Sequence, residues 1–211
     1  MSNDRAPQVV VIAGPNGAGK TTIAREVLDR TLGITEFVNA DTIAAGLSGF
    51  DPERAAFAAG RVMLERLHEL ARASPPINFA FESTLASRTF APWLSGLIDR
   101  GFAVHILYVW LRSPDLAIRR VKARVRKGGH GVPDDVIRRR YARSAANFFE
   151  LYVPLAETFG SWRVYDNSAK KPLLVARGER ATMPTILHDQ TFQALKDAAH
   201  LAAEEESGAG E

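Results

Sequence analysis

The sequence predicts an α/β fold in three layers, a parallel sheet with helices packed on both faces, and three observations predict it. Short apolar runs alternate with segments of helical periodicity along the chain. The first run, Gln8 to Ala13, is continuously apolar after its first residue, as a strand buried on both faces requires. That run leads directly into a glycine-rich loop, Gly14 to Thr21, and then into an amphipathic segment.

The elements follow in order. From Lys20 to about Arg30, Ile23, Ala24, Val27 and Leu28 form one apolar stripe of a helix. Glu36 to Asn39 is a second strand, with Asp41 just beyond its end. After a loop from Gly46 to Asp51, the alanine-rich stretch Pro52 to Ala73 is helical until Ser74-Pro75-Pro76 breaks it. Ile77 to Phe81 is a third strand ending at Glu82, Trp93 to Arg100 a helix, and Ala103 to Trp110 the strongest strand of the chain. Asp115 to Lys127 reads as a helix with Ile118, Val121 and Val125 inward and arginines outward, stopped by Gly128-Gly129. Pro133 suits the first turn of the next helix. Arg163 to Tyr165 is a last core strand, and Leu173 to Met183, apolar on either side of Gly178, is expected to form an appended C-terminal hairpin. In such an alternating fold, ligand-binding residues sit at the carboxyl ends of the strands.

A chain of 211 residues, 46% apolar and 24% charged, has material for one substantial core. The expected organisation is a single domain over residues 1–203, with a basic lid at about 112–143 and a disordered acidic tail at 204–211. No cysteine is present, which excludes disulfides, thiolate metal sites and a cysteine nucleophile. Met1 to Gln8 carries no apolar core before a cleavage site, and no apolar run approaches the ~20 residues of a membrane helix. The expectation is a cytoplasmic protein without membrane contact.

Gly14-Pro15-Asn16-Gly17-Ala18-Gly19-Lys20-Thr21 satisfies the phosphate-binding pattern of two glycines with four residues between them, followed by lysine and threonine. Glycines allow backbone N–H groups to converge on phosphate oxygens, and the following helix N-terminus adds partial positive charge. Lys20 then reaches the outer phosphates, Thr21 offers a hydroxyl to Mg²⁺, and Thr22 continues the loop into the helix. The ligand is ATP, with GTP the alternative. Asp41 has two readings: a base that takes the proton of an attacking hydroxyl, or the N-cap of a following helix. Glu82, beside Ser83 and Thr84, either holds the Mg²⁺ shell or a substrate hydroxyl, or caps a turn. No other apolar run ends in Asp-Glu, so an ATPase of the motor type lacks its metal-binding acid and a kinase is favoured.

From Arg112 to Arg143 the chain holds nine arginines and two lysines against Asp115, Asp134 and Asp135, although its formal net charge is only +3. The window divides into two helices around Lys127-Gly128-Gly129-His130-Gly131, whose glycines permit hinge movement. His130 reads as a hinge residue that hydrogen-bonds, since no second metal ligand stands at useful spacing. Neighbouring helical arginines point in different directions, so two or three at most can reach one ligand. Nucleic acid is disfavoured as a partner because no aromatic residue interleaves with the arginines between Arg112 and Arg140.

Four stretches in order resemble the zeta toxin-like P-loop kinases: the glycine loop, Asn39-Ala40-Asp41, Phe81-Glu82-Ser83-Thr84, and Arg120 to Tyr141. Tyr165-Asp166-Asn167-Ser168 is a weaker fifth, either lining an adenine pocket or simply ending a strand. The resemblance implies a kinase core with a five-stranded parallel sheet, and phosphorylation of a small hydroxylated acceptor, UDP-N-acetylglucosamine in the toxins. It assigns Lys20 and Thr21 to phosphate and magnesium, Asp41 to the catalytic base, and Glu82 with Thr84 to the acceptor. The lid arginines implied are Arg124 and Arg140. Where the toxins carry Glu-Gly-Thr-x-Arg, this chain reads Glu82-Ser83-Thr84-Leu85-Ala86, and its next arginine, Arg88, is the candidate for substrate contact. Similarity to toxins also raises an antitoxin protein as a partner, for which the sequence itself shows no feature.

Overall fold

The computed structural model describes residues 6–31, 34–48, 52–129 and 131–208. Its centre is a seven-stranded sheet in the order β2-β3-β1-β4-β5-β6-β7. The expected five parallel strands are β1 (Gln8–Ala13), β2 (Glu36–Val38), β3 (Phe79–Ser83), β4 (Ala103–Trp110) and β5 (Gly160–Asp166). Two antiparallel strands, β6 (Leu173–Glu179) and β7 (Thr185–Ile186), extend the β5 edge.

β1 is flanked on both sides, Val11 pairing with Phe81 of β3 and with Ile106 of β4. Its alternate side chains therefore enter two different cores. Val9, Val11 and Ala13 join the larger one with Phe79, Phe81 and Ile106, whereas Val10 and Ile12 join a smaller one with Ala24, Ile34, Ala80 and Leu107. This is why the strand reads as continuously apolar. Each fully buried side chain of this size is worth about 1.5–3 kcal/mol relative to exposure. Because the chain lays β2 and β3 on one side of β1 and then crosses to lay β4 on the other, a crevice opens at the carboxyl end of β1, where the glycine loop stands.

The helices are α1 (Lys20–Thr31), α2 (Ala40–Leu47), α3 (Pro52–Ala71), α4 (Phe90–Asp99), α5 (Pro114–Val125), α6 (Asp134–Asn147), α7 (Val153–Thr158) and α8 (Asp189–Gly208). A π-helical turn, Phe148–Tyr152, joins α6 to α7. Met63 and Leu67 of α3, Leu94 of α4, Val121 of α5, Ile137 of α6 and Leu195 of α8 all enter the larger core. No described helix is long and apolar enough to cross a membrane.

Four expectations are corrected. A helix does follow Asn39: α2 runs to Leu47, into the loop expected from Gly46 to Asp51, and the Asn39 side chain caps it by accepting from the Asp41 and Thr42 amides. Asn39, not Asp41, is thus the N-cap. Val125 is 44% exposed, because the burying face of α5 ends a turn earlier at Val121. Gly178 is not a turn but lies inside β6; a Cβ there would stand 2.5 Å from the Trp162 ring, and the chain reverses at Arg180 to Thr182 instead. The acidic stretch Glu204 to Gly208 continues α8, which is anchored by Leu195, Ala199 and Ala202 and carries a His200–Glu204 pair at 3.2 Å. His130 and residues 209–211 lie outside the described residues.

Candidate functional site

The loop after β1 has a backbone that only particular residues can follow. Gly14 has φ +134, and a Cβ on it would collide with the Val109 carbonyl oxygen of β4. Gly19 has φ +86, and its Cβ would meet the Asn167 amide nitrogen at 2.6 Å. These glycines let β4 and the segment after β5 close on the loop. Pro15, Asn16, Gly17 and Ala18 complete the turn, with the Ala18 amide donating to the Pro15 carbonyl at 3.2 Å.

Lys20 opens α1 and is 8% exposed. Its ammonium donates to the carbonyls of Gly14 at 2.9 Å and Pro15 at 3.1 Å and stands 3.7 Å from Glu82. Burial pushes its pKa below the usual lysine value, while Glu82 and then Asp41 act against that shift. A buried ammonium facing carbonyl oxygens is poised to exchange them for phosphate oxygens, which carry full charge.

Glu82, near the end of β3, is the hub. Its Oε2 accepts from the Thr21 hydroxyl at 2.8 Å and from the Asn39 amide at 2.6 Å. Asn39 is therefore bound on both sides: its Nδ2 holds Glu82 and its Oδ1 caps α2. That cap puts Asp41 in the first turn of α2, 56% exposed, with Oδ2 3.6 Å from Arg124 Nη1 of α5. Lys20, Thr21, Asn39, Asp41, Glu82 and Arg124 thus form one cluster, drawn from four separate elements and the connection after β2.

Other expected residues stand outside it. Arg140 is exposed on α6 and makes no ion pair or hydrogen bond among the described residues. Thr84 accepts from the Ala86 amide at 3.4 Å, and Ser83 from the Leu85 amide at 3.1 Å, so the hydroxyls after Glu82 shape their own loop. Arg88 pairs with Glu150 at 3.1 Å. The same loop is tied to the far end of α6: Leu85, at φ +55, offers its carbonyl to buried Asn147 at 2.7 Å, and the Tyr152 hydroxyl reaches the Ser87 carbonyl at 3.2 Å. Two residues of the basic window hold α5 to α6, Lys122 on Asp134 at 2.6 Å and Arg138 on Asp115.

Beyond β5, Asp166-Asn167-Ser168 is more than a strand end. Buried Asp166 accepts from Arg112 at 3.1 Å and from the Ser168 amide at 2.8 Å. Asn167 donates to the Ala18 carbonyl at 2.7 Å, locking the glycine loop from the side. A pocket of about 610 Å³ opens next to it, lined by Thr22, Arg120, Asn167, Ser168, Lys170 and Pro172.

Sequence reasoning named Asn39 within a motif but gave it no role, although Asn before Asp-Thr-Ile is a good helix cap. Arg120 was one arginine among nine. Asn147 offers no local signal, since its partner is 62 residues away.

For a magnesium ion, the fit rests on the donor set. The Thr21 hydroxyl and the Glu82 carboxylate lie in direct contact beside Lys20. No described group of three or more acidic or histidine ligands exists. One hydroxyl and one carboxylate suit an ion that completes its shell with phosphate and water.

Comparison with known proteins agrees with this geometry. The chain is 28% identical over 134 residues to an uncharacterized protein of Haemophilus influenzae, covering 64% of this chain and 92% of that one. Among solved structures, a chain of the AvrRxo1-ORF1:AvrRxo1-ORF2 complex with sulphate ions superposes with a TM-score of 0.75 at 14% identity, and the complex with ATP with 0.73 at 15%. Both cover 92% of this chain, which spans 65% and 64% of those chains. A chain of the PezAT toxin-antitoxin system of Streptococcus pneumoniae gives 0.58 at 16% identity, covering 97% of this chain and 90% of that one. The sequence profile of the AAA_33 family, described as an AAA domain, matches residues 9–151, which hold the glycine loop, Asp41, Glu82 and Arg124. The chain therefore belongs to the AAA_33 family, in a P-loop kinase-like form of the α/β fold.

Proposed function

We propose that the protein is an ATP-dependent kinase that transfers the γ-phosphate to a hydroxyl of a small molecule. The observation that carries this reading is the convergence of a candidate base, Asp41, and a cation, Arg124, on the glycine-loop lysine and the Thr21–Glu82 pair. A carboxylate so placed can receive the proton of an acceptor hydroxyl, as phosphoryl transfer by a kinase requires.

In this reading the amides of the glycine loop and the Lys20 ammonium hold the β- and γ-phosphates. Thr21 and Glu82 would hold Mg²⁺, which would supply positive charge to neutralise the phosphates. The 610 Å³ pocket beside Asn167 receives the base, with the Arg120 guanidinium along one wall. Asp41 takes the proton of the acceptor hydroxyl as its oxygen bonds to the γ-phosphorus and the bond to the β–γ bridging oxygen breaks. Arg124, beside Asp41, meets the charge on the transferring group. Glu82 is thus assigned to the metal side rather than the acceptor, because its carboxylate is already bound to Thr21 and Asn39.

Asp41→Asn tests the assignment: turnover should fall about 10²–10⁴-fold while the ATP dissociation constant is unchanged. Full turnover would sink it. A UDP-sugar such as UDP-N-acetylglucosamine is the narrower acceptor, read from the motif resemblance; mass spectrometry after incubation with ATP should show one added phosphate on the sugar. The similarity to a chain of a toxin-antitoxin system supports a neutralising protein partner as well. Expression in a bacterial host should then arrest growth in a manner that Asp41→Asn abolishes.

A further inference from the structure

The antiparallel extension of the sheet carries a group of side chains that phosphoryl transfer does not use. Arg163 of β5 is in register with Arg177 of β6, and Arg177 with Thr185 of β7. Residues directly opposed on neighbouring strands share a face, so the two arginine side chains leave the sheet on the same side. Like charges so placed are destabilising. Several other arginines of the chain do have acids: Arg66 has Glu36, Arg88 has Glu150, Arg112 has Asp166 and Arg138 has Asp115. Among the described residues, neither Arg163 nor Arg177 has an ion pair or a side-chain hydrogen bond.

The two arginines line a pocket of about 260 Å³ together with Ser161, Glu179, Thr182 and Thr185. Glu179 is the acid in that lining. It is in register with Ser161 rather than with an arginine, and its carboxylate pairs with neither guanidinium. His105 of β4 stands in the same row as Ser161, its Nδ1 2.8 Å from the serine hydroxyl. Burial, and then Arg163, hold its pKa below the usual histidine value, so at neutral pH it adds no charge. The positive charge of the pocket is therefore that of the arginine pair, set against a single carboxylate.

We propose that this pocket is a second anion site that binds a small oxyanion, inorganic phosphate or a short phosphate ester, between Arg163 and Arg177, with the Thr185 hydroxyl as a further donor. Paired planar guanidinium groups match oxyanions through parallel N–H donors, a match that chloride cannot make. The volume lies below the ~300 Å³ at which sites for drug-sized ligands begin, which restricts the occupant to a small ion or ester. The site is separate from the nucleotide crevice. It shares no lining residue with the pocket beside Asn167, and Arg163 precedes Asn167 by four residues, about 13 Å along the strand. It also lies after residue 151, outside the stretch that matches the family. The arginine repulsion, which no ion pair among the described residues neutralises, is relieved by the ligand.

Isothermal titration of inorganic phosphate into the full chain tests this, at constant ionic strength balanced with sodium chloride. Lys20→Ala is present throughout, so that the glycine loop does not compete for the probe. One saturable site is expected. Arg177→Gln in that background should weaken it at least tenfold, and Arg163→Gln likewise, since each removes one charge-assisted fork. Neither variant should lower the melting temperature, because each removes a repulsion. Absence of saturable phosphate binding overturns the proposal, and so does binding that survives Arg177→Gln unchanged.

Discussion

The two sides of the crevice are built differently. Lys20, which the proposed reaction puts on the donor side, is 8% exposed and donates to two carbonyls of its own loop, whereas Asp41, which it puts on the acceptor side, is 56% exposed and faces Arg124 at 3.6 Å. The donor side is fixed by backbone and by neighbours packed onto it: Val109 against Gly14, Asn167 against Ala18 and Gly19. The acceptor side is held by side chains from distant helices, Arg124 on α5 and Asn147 at the end of α6. A phosphate cradle must be rigid before its ligand arrives, because its donors are amides that cannot swing. An acceptor site can be completed by movement of long side chains when substrate binds.

The largest test of that contrast is Gly14→Ala. The new Cβ collides with the Val109 carbonyl at a φ that side chains rarely adopt, so nucleotide binding should be abolished and stability should fall by roughly 3 kcal/mol or more. Calorimetry and thermal melts measure both; native affinity and stability in this variant would break the claim that backbone fixes the donor side. Arg124→Gln comes next. Turnover should drop about 10³-fold, while stability changes by no more than ~1 kcal/mol, the pair with Asp41 being well exposed. A comparable loss of ATP affinity would place Arg124 on the donor side instead.

Asn147→Ala removes the donor to the Leu85 carbonyl and should cost about 1–3 kcal/mol in chemical denaturation. ATP affinity should be unaffected, since the Asn147–Leu85 bond involves no residue of the glycine loop. The smallest effect is alkaline. Burial pushes the Tyr141 and Tyr152 hydroxyls up to about 12 from an ordinary 10. Their contribution is complete below pH 10, where both states are protonated, and is lost as pH rises from 10 through about 12, where the unfolded chain ionises first. Lys20 has the opposite sign: its depressed pKa carries a penalty that shrinks as pH rises toward 10.5. A melting temperature that falls above pH 10, and falls less steeply in Tyr152→Phe, would tie alkaline sensitivity to the acceptor side.

Legibility followed the same division. The glycine loop, its flanking strand and helix, and the five parallel strands were readable because each rests on local rules: backbone freedom at glycine, continuous apolarity in buried strands, and periodicity in helices. Asp41 could be seen as base or cap, and only the Asn39 side chain, bonded to the Asp41 and Thr42 amides, separates those roles. Glu82 was visible as a strand-end acid, but its attachment to Thr21 spans 61 residues and no pattern in sequence encodes it. Gly178 shows the converse error. A glycine between apolar runs looks like a turn, yet here it makes room for Trp162 on the neighbouring strand.

By itself, then, the sequence determined where phosphate would bind and that strands and helices would alternate around it, since those depend on conformational preferences of contiguous residues. The tertiary structure decided which side chains meet: Glu82 with Thr21 and Asn39, Asp41 with Arg124, Asn147 with Leu85, Arg163 with Arg177. The first four contacts join residues 43 to 83 positions apart and exist because the crossover order of the strands brings their ends together, whereas Arg163 and Arg177 become neighbours through the antiparallel pairing of β5 with β6.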